Sequence, residues 1–140
     1  MLLELLNLVD VAVLCGLIWT IQVVHYPLFA RVPEPAWPAY EAEHQQRITV
    51  LVLPLMLANV GLAAALLLDG GAPQDLAIAN LALAGGIFAA TGAVYAPMHG
   101  RLAARHDPAL LTRLVRLNWL RTLAWTAQLA VAIALLDAAV

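Results

Sequence analysis

Four apolar stretches, each long enough to cross a bilayer as a helix, constrain this chain more than any other feature. They cover about 5–26, 48–68, 76–96 and 109–136. Some 20 residues at ~1.5 Å each span the ~30 Å of a hydrocarbon core. The segments lack the in–out alternation of a barrel strand, so helices have to do the spanning. With 64% of its 140 residues hydrophobic and only 11% charged, the chain is too poor in polar surface for a water-soluble domain of its size. The expected fold is all-α: one domain over 1–140, a bundle of four transmembrane helices.

The first stretch reads as a retained helix rather than a signal peptide. No Arg or Lys precedes Arg31, and Glu4 and Asp10 stand where a basic segment is wanted. Pro27 is expected to end this helix. The segment at about 35–47, "PAWPAYEAEHQQR", reads as an amphipathic interfacial helix feeding into the second span. Glu43 and Arg47 form an i, i+4 pair suited to a solvated salt bridge. Pro54 is expected to kink the second helix and Pro97 to disturb the exit of the third. Gly85, Gly86 and Gly92 suit close helix approach. Asp107 followed by Pro108 is a helix start, with Asp107 as the cap. Cys15, the single cysteine, excludes an internal disulfide and reads as a small core residue.

All seven basic residues are arginines: Arg31, Arg47, Arg101, Arg105, Arg113, Arg116 and Arg121. They fall in the connection between helices 1 and 2, in that between helices 3 and 4, or on the helix ends beside them. Glu4, Asp69, Asp75 and Asp137 mark the other side, which has no basic residue. The positive-inside rule then predicts both termini outside and both arginine-bearing loops cytoplasmic, in a bacterial inner membrane.

The four histidines share the arginine-rich side. Cys15, Trp19, Gln22 and Tyr26 follow i, i+4, i+7, i+11 on helix 1, with His25 at their border. Trp37, Tyr40 and His44 line one side of the segment before helix 2. Thr91, Tyr95 and His99 repeat every four residues on helix 3. Asn118, Arg121, Trp125 and Gln128 form a stripe on helix 4. Several helices thus aim polar residues at one layer near the cytoplasmic mouth. Arg121 lies about a turn inside the boundary, where a charge costs ~2.5–3.5 kcal/mol on insertion scales. It either snorkels outward or faces a polar pocket. Trp37 and Trp119 suit membrane-belt anchors, whereas Trp19 and Trp125 lie deeper. Asp10, Asn59 and Asn80 sit towards the other side and are expected to hydrogen-bond between helices.

This layer supplies the candidate site. His25, His44 and His99 come from three helices, and imidazoles so placed suit Fe, Cu or Zn, or a haem, or proton transfer. Glu41-x-x-His44 carries a faint echo of a di-iron motif, present once where such proteins use it twice. Arg121, Asn118 and Tyr95 are the candidate catalytic groups. Gln22, Tyr26, Trp125 and Tyr40 are the candidate substrate contacts. A phosphate loop, a nucleophile elbow, HExxH and CxxC are all absent. The expected partners are the bilayer and an apolar small molecule, with a homo-oligomer or membrane complex open and no nucleic acid.

The stretches "HYPLF", "YEAEH", "RITVLVLPLM", "PMHGRLA" and "LVRLNWLRTLAW" resemble a family of small bacterial four-helix membrane proteins, and in particular the anthrone oxygenase-like group. The resemblance rests most on "P-x-H-x-x-L" at the end of helix 3 and "N-W-x-R-T" in helix 4. It implies a cofactor-poor or metal-assisted oxygenase acting on an apolar, phenol-like substrate, with His99, Trp119 and Arg121 as the carried-over positions. A looser likeness is to the small haem-containing protoporphyrinogen oxidases. Those carry a histidine early in helix 1 and a lysine in helix 3, and this chain has neither. The expected function is therefore an integral-membrane oxidoreductase with a cytoplasm-facing site. The rival is a non-catalytic membrane subunit or a binder of anionic lipid or haem.

Overall fold

Turn chemistry sets the helix boundaries. The computed structural model describes residues 1–140 and consists of four long helices: α1 (Leu2–Phe29), α2 (Glu34–Asp69), α3 (Gln74–Ala104) and α4 (Pro108–Asp137). Each is long and apolar enough to cross a membrane. Asp107 caps α4, accepting from the Leu110 N–H at 3.0 Å, with Pro108 at the first helical position. Gly70 closes α2 in the left-handed conformation at φ 70°, which a side chain would disfavour.

The helices outrun the apolar stretches, and two prolines show how. Pro27 does not end α1, nor does Pro97 end α3. A wide π turn precedes each proline at the same offset, Ile21–His25 before Pro27 and Thr91–Tyr95 before Pro97. A proline lacks an N–H and its ring crowds the carbonyl four residues back. Those carbonyls belong to Val23 and Ala93, inside the wide turns, where the looser winding makes room. The segment at 35–47 is likewise no separate element. After one 3-10 turn at Glu34–Ala36 it runs without a break into the rest of α2, and the helix continues through Pro54.

Each helix packs on its chain neighbours, and α1 also packs on α4, closing the bundle. Around an apolar core, the bundle departs from a water-soluble one in what it shows outside and in the amides it buries. Large apolar side chains such as Val23, Leu57, Leu120 and Ile133 point outward, while Asn7, Asn80, Asn118 and Gln128 are fully buried. In one half, amides tie the helices together: Asn80 donates to Asn7 Oδ1 at 3.0 Å, and Gln128 donates to Asn80 Oδ1 and Asn59 Oδ1 at 3.0 and 3.1 Å. This realises the expectation for Asn59 and Asn80. Glu43 and Arg47 form their exposed ion pair at 2.6 Å.

Two expectations are corrected. Trp37 is no surface anchor: it is fully buried, and its indole N–H donates to the Leu102 carbonyl at 2.7 Å, pinning the start of α2 to the end of α3. Gly85, Gly86 and Gly92 do not bring helices together. A Cβ at any of them would meet no neighbouring atom within 4 Å, so they leave open space instead.

Candidate functional site

The π turn of α1 and the helix beyond it carry His25 and Tyr26 to the level of His44 on α2 and His99 on α3. The three imidazoles stand side by side rather than around a point, and only His25 and His44 are hydrogen-bonded to each other. His25 Nε2 lies 3.0 Å from His44 Nδ1, and the His44 and His99 rings are 5.5 Å apart. Both nitrogens of His99 are engaged, Nδ1 with Glu41 Oε1 at 2.5 Å and Nε2 with the Tyr26 hydroxyl at 2.9 Å. Its carbonyl accepts from Gln45 Nε2 at 2.9 Å. As arranged, no three His, Cys, Asp or Glu side chains form a set able to hold a metal.

Glu41 is the residue the sequence reading left out of the site. It is fully buried, and one carboxylate oxygen, Oε2, has no partner. With Glu41 as the acceptor, His99 Nδ1 donates to it, and in that tautomer Nε2 accepts from the Tyr26 O–H. Glu41, His99 and Tyr26 therefore form a carboxylate–imidazole–hydroxyl relay drawn from α2, α3 and α1. The spacing Glu41-x-x-His44 was the available signal. It puts both groups on one helix face, yet Glu41 reaches across to α3 while His44 turns to His25.

The relay ends at a cavity of ≈ 270 Å³ between α2 and α3. Its walls are mostly apolar, with Ile48, Val52, Met56 and Phe88 among them; Tyr26, His44, Tyr95, His99 and Arg121 supply polar groups. Arg121 has the most exceptional surroundings. It is 9% exposed, its Nε has no acceptor, and it belongs to none of the four ion pairs in the molecule. Its guanidinium lies over the faces of Tyr95, at 4.5 Å, and Trp125, at 5.2 Å, and reaches the Tyr26 hydroxyl, so no acid faces it but a phenol does. Two aromatic faces offset only part of the cost of burying that charge. The Tyr95 hydroxyl is held by the Leu117 carbonyl at 2.8 Å, which fixes the ring beneath Arg121.

The other candidates are placed apart from the cavity. Asn118 donates to Gln22 Oε1 at 2.8 Å, and Gln22 donates to the Val115 carbonyl at 3.3 Å, so this pair joins α1 to α4. Tyr40 packs on Phe29 and Trp37. Trp125 is buried behind Arg121. Trp119 lies on the surface edge-on to Trp19, which donates to Thr126 Oγ1 at 3.0 Å. His106 sits against Trp37. No family model, curated protein or solved structure matches the chain.

Proposed function

We propose that this chain is an integral-membrane oxidoreductase of the oxygenase-like kind, whose protein groups perform acid–base work on an apolar small molecule. The observation that carries the reading is the Glu41–His99–Tyr26 relay opening on an apolar cavity that Arg121, beside Tyr26 and without an acid, also lines. In such a relay the carboxylate orients the imidazole and stabilises its protonated form, and the imidazole takes the hydroxyl proton. Tyr26 then removes a proton from substrate, and Arg121 stabilises the anion that develops. With dioxygen as co-substrate, an activated methylene becomes a carbonyl: one oxygen atom enters the product and the other leaves as water with both methylene hydrogens. The chemistry of the donor set agrees with a route in which protein groups, not a metal, move the proton.

The large apolar side chains on the outside of the bundle and the length of its helices support insertion in a bilayer. The arginine distribution supports termini outside and the site at the cytoplasmic mouth of a bacterial inner membrane. The uncompensated Arg121 favours a second reading, a non-catalytic binder of an anionic lipid. Oxygen uptake by the detergent-purified protein with anthrone, an apolar molecule with one acidic methylene, separates the two. The oxidoreductase reading expects uptake matched by anthraquinone formation and lost in Tyr26→Phe. Uptake no faster than in protein-free micelles supports the binder.

A further inference from the structure

Arg121 and Tyr95 border two spaces. Beyond the cavity between α2 and α3 they also form the inner wall of a groove of ≈ 390 Å³ between α3 and α4. On α3 the groove is floored by Ala82, Gly86 and Ala90, one residue per turn, and on α4 by Leu120 and Ala124. The glycine here serves no contact inside the chain, because a Cβ at Gly86 would meet nothing within 4 Å. The outer face of the bundle thus carries an apolar groove that leads to a buried guanidinium with no acid beside it and an unpartnered Nε.

We propose that this groove seats the chain of a single-chain carboxylic acid drawn sideways from the bilayer, with its carboxylate on Arg121. The inference names a ligand class for Arg121 and a lateral entry route to the cavity described above, and so rests on the reading of that cavity as a binding site for small molecules. Three observations select this occupant. The guanidinium needs an anion, and a carboxylate matches its fork with two parallel hydrogen bonds. One positive charge answers one negative head, and a groove of ≈ 390 Å³ is small for the paired chains of a phospholipid. A second copy of the protein offers no free acid at this level: Glu4, Asp10 and Glu41 are buried, Glu43 is paired with Arg47, and Glu34, Asp69, Asp75, Asp107 and Asp137 lie at helix ends. Tyr95 and Arg121 then stand between lipid and relay, and the acid's head end is the part presented to Tyr26.

The test uses the full chain in non-ionic detergent with 2-bromododecanoate, whose bromine beside the carboxylate quenches a nearby tryptophan. Trp125, 5.2 Å from the Arg121 guanidinium, is the reporter. The expected result is saturable quenching that disappears in Trp125→Phe. Binding should weaken about tenfold or more for the uncharged methyl ester and for Arg121→Gln, which lose the charge-assisted pair. Gly86→Leu, or Ala90→Leu should the first variant fail to fold, should weaken it similarly by filling the groove. Linear quenching equal for acid and ester overturns the proposal, as does full binding in a correctly folded groove-filled variant. A sedimentation change from dimer to monomer in Gly86→Leu, with quenching unaltered, assigns the groove to a second copy instead. Glu41→Gln should bind the acid normally: retained binding with no turnover in the parent refutes the catalytic reading alone, and turnover without saturable binding refutes this inference alone.

Discussion

Glu41 Oε1 lies 2.5 Å from His99 Nδ1, joining a fully buried carboxylate on α2 to an imidazole on α3 whose other nitrogen meets the Tyr26 hydroxyl. Neither helix contains the pair; the bundle makes it. Replacing the acid with its amide keeps the volume and removes the charge that fixes the imidazole tautomer. Glu41→Gln should lower anthrone-dependent oxygen uptake by about 10²–10⁴-fold, the usual range for a lost acid–base group, with helix content by circular dichroism unchanged. A loss under threefold would mean that the pair is structural only.

Arg121 gives a prediction with opposite signs for stability and function. Its charge is buried on two aromatic faces without an acid, and apolar replacement of buried charges is often neutral or stabilising by ~1–4 kcal/mol. Arg121→Leu should therefore insert and fold, raise the thermal midpoint in detergent, and abolish activity. A variant that is both less stable and still active contradicts the pocket assignment.

The amide layer in the other half of the bundle should behave as a clamp. Gln128→Leu removes both donors to Asn59 and Asn80. At ~0.6 kcal/mol for an average interhelical hydrogen bond in a membrane, the loss should be about 1–2 kcal/mol in a reversible unfolding titration. Activity at the far relay should stay near the parent value.

Asp107 supplies the acid-side prediction. The Leu110 N–H, with Arg105 nearby, holds its carboxyl below the ordinary aspartate range. A depressed folded value means that the stabilisation is complete above the unfolded value near ~3.9. It is lost as pH falls from there through the folded value. Asp107→Asn keeps an acceptor but cannot titrate, so its thermal midpoint should fall less than the parent's below about pH 4.

The sequence makes the four helices plain, because run length and hydropathy report directly on what lipid requires. Helix ends are less legible: Pro27 and Pro97 look like terminators, and only the π turns beside them let α1 and α3 continue. The site is partly legible. The level of His25, His44, His99, Tyr95 and Arg121 follows from counting residues inward from the outer acids. Their partners do not, since helical spacing gives the face of one helix and says nothing of the face opposite. Gln22 and Asn118 share the polar layer yet bond to each other, and Glu41 sits two residues from the exposed Glu43 but points away from water. The glycines of α3 mislead for a related reason: a missing side chain signals either contact or vacancy, and here it is vacancy.

The most direct measurement is proton exchange without oxidation. Anthrone incubated anaerobically with the purified protein in D₂O-based buffer should gain deuterium at its methylene faster than in empty micelles, and Tyr26→Phe and Glu41→Gln should remove the acceleration. Exchange at the micelle rate in the parent, or equal acceleration in all three proteins, would contradict a relay that takes a proton from substrate.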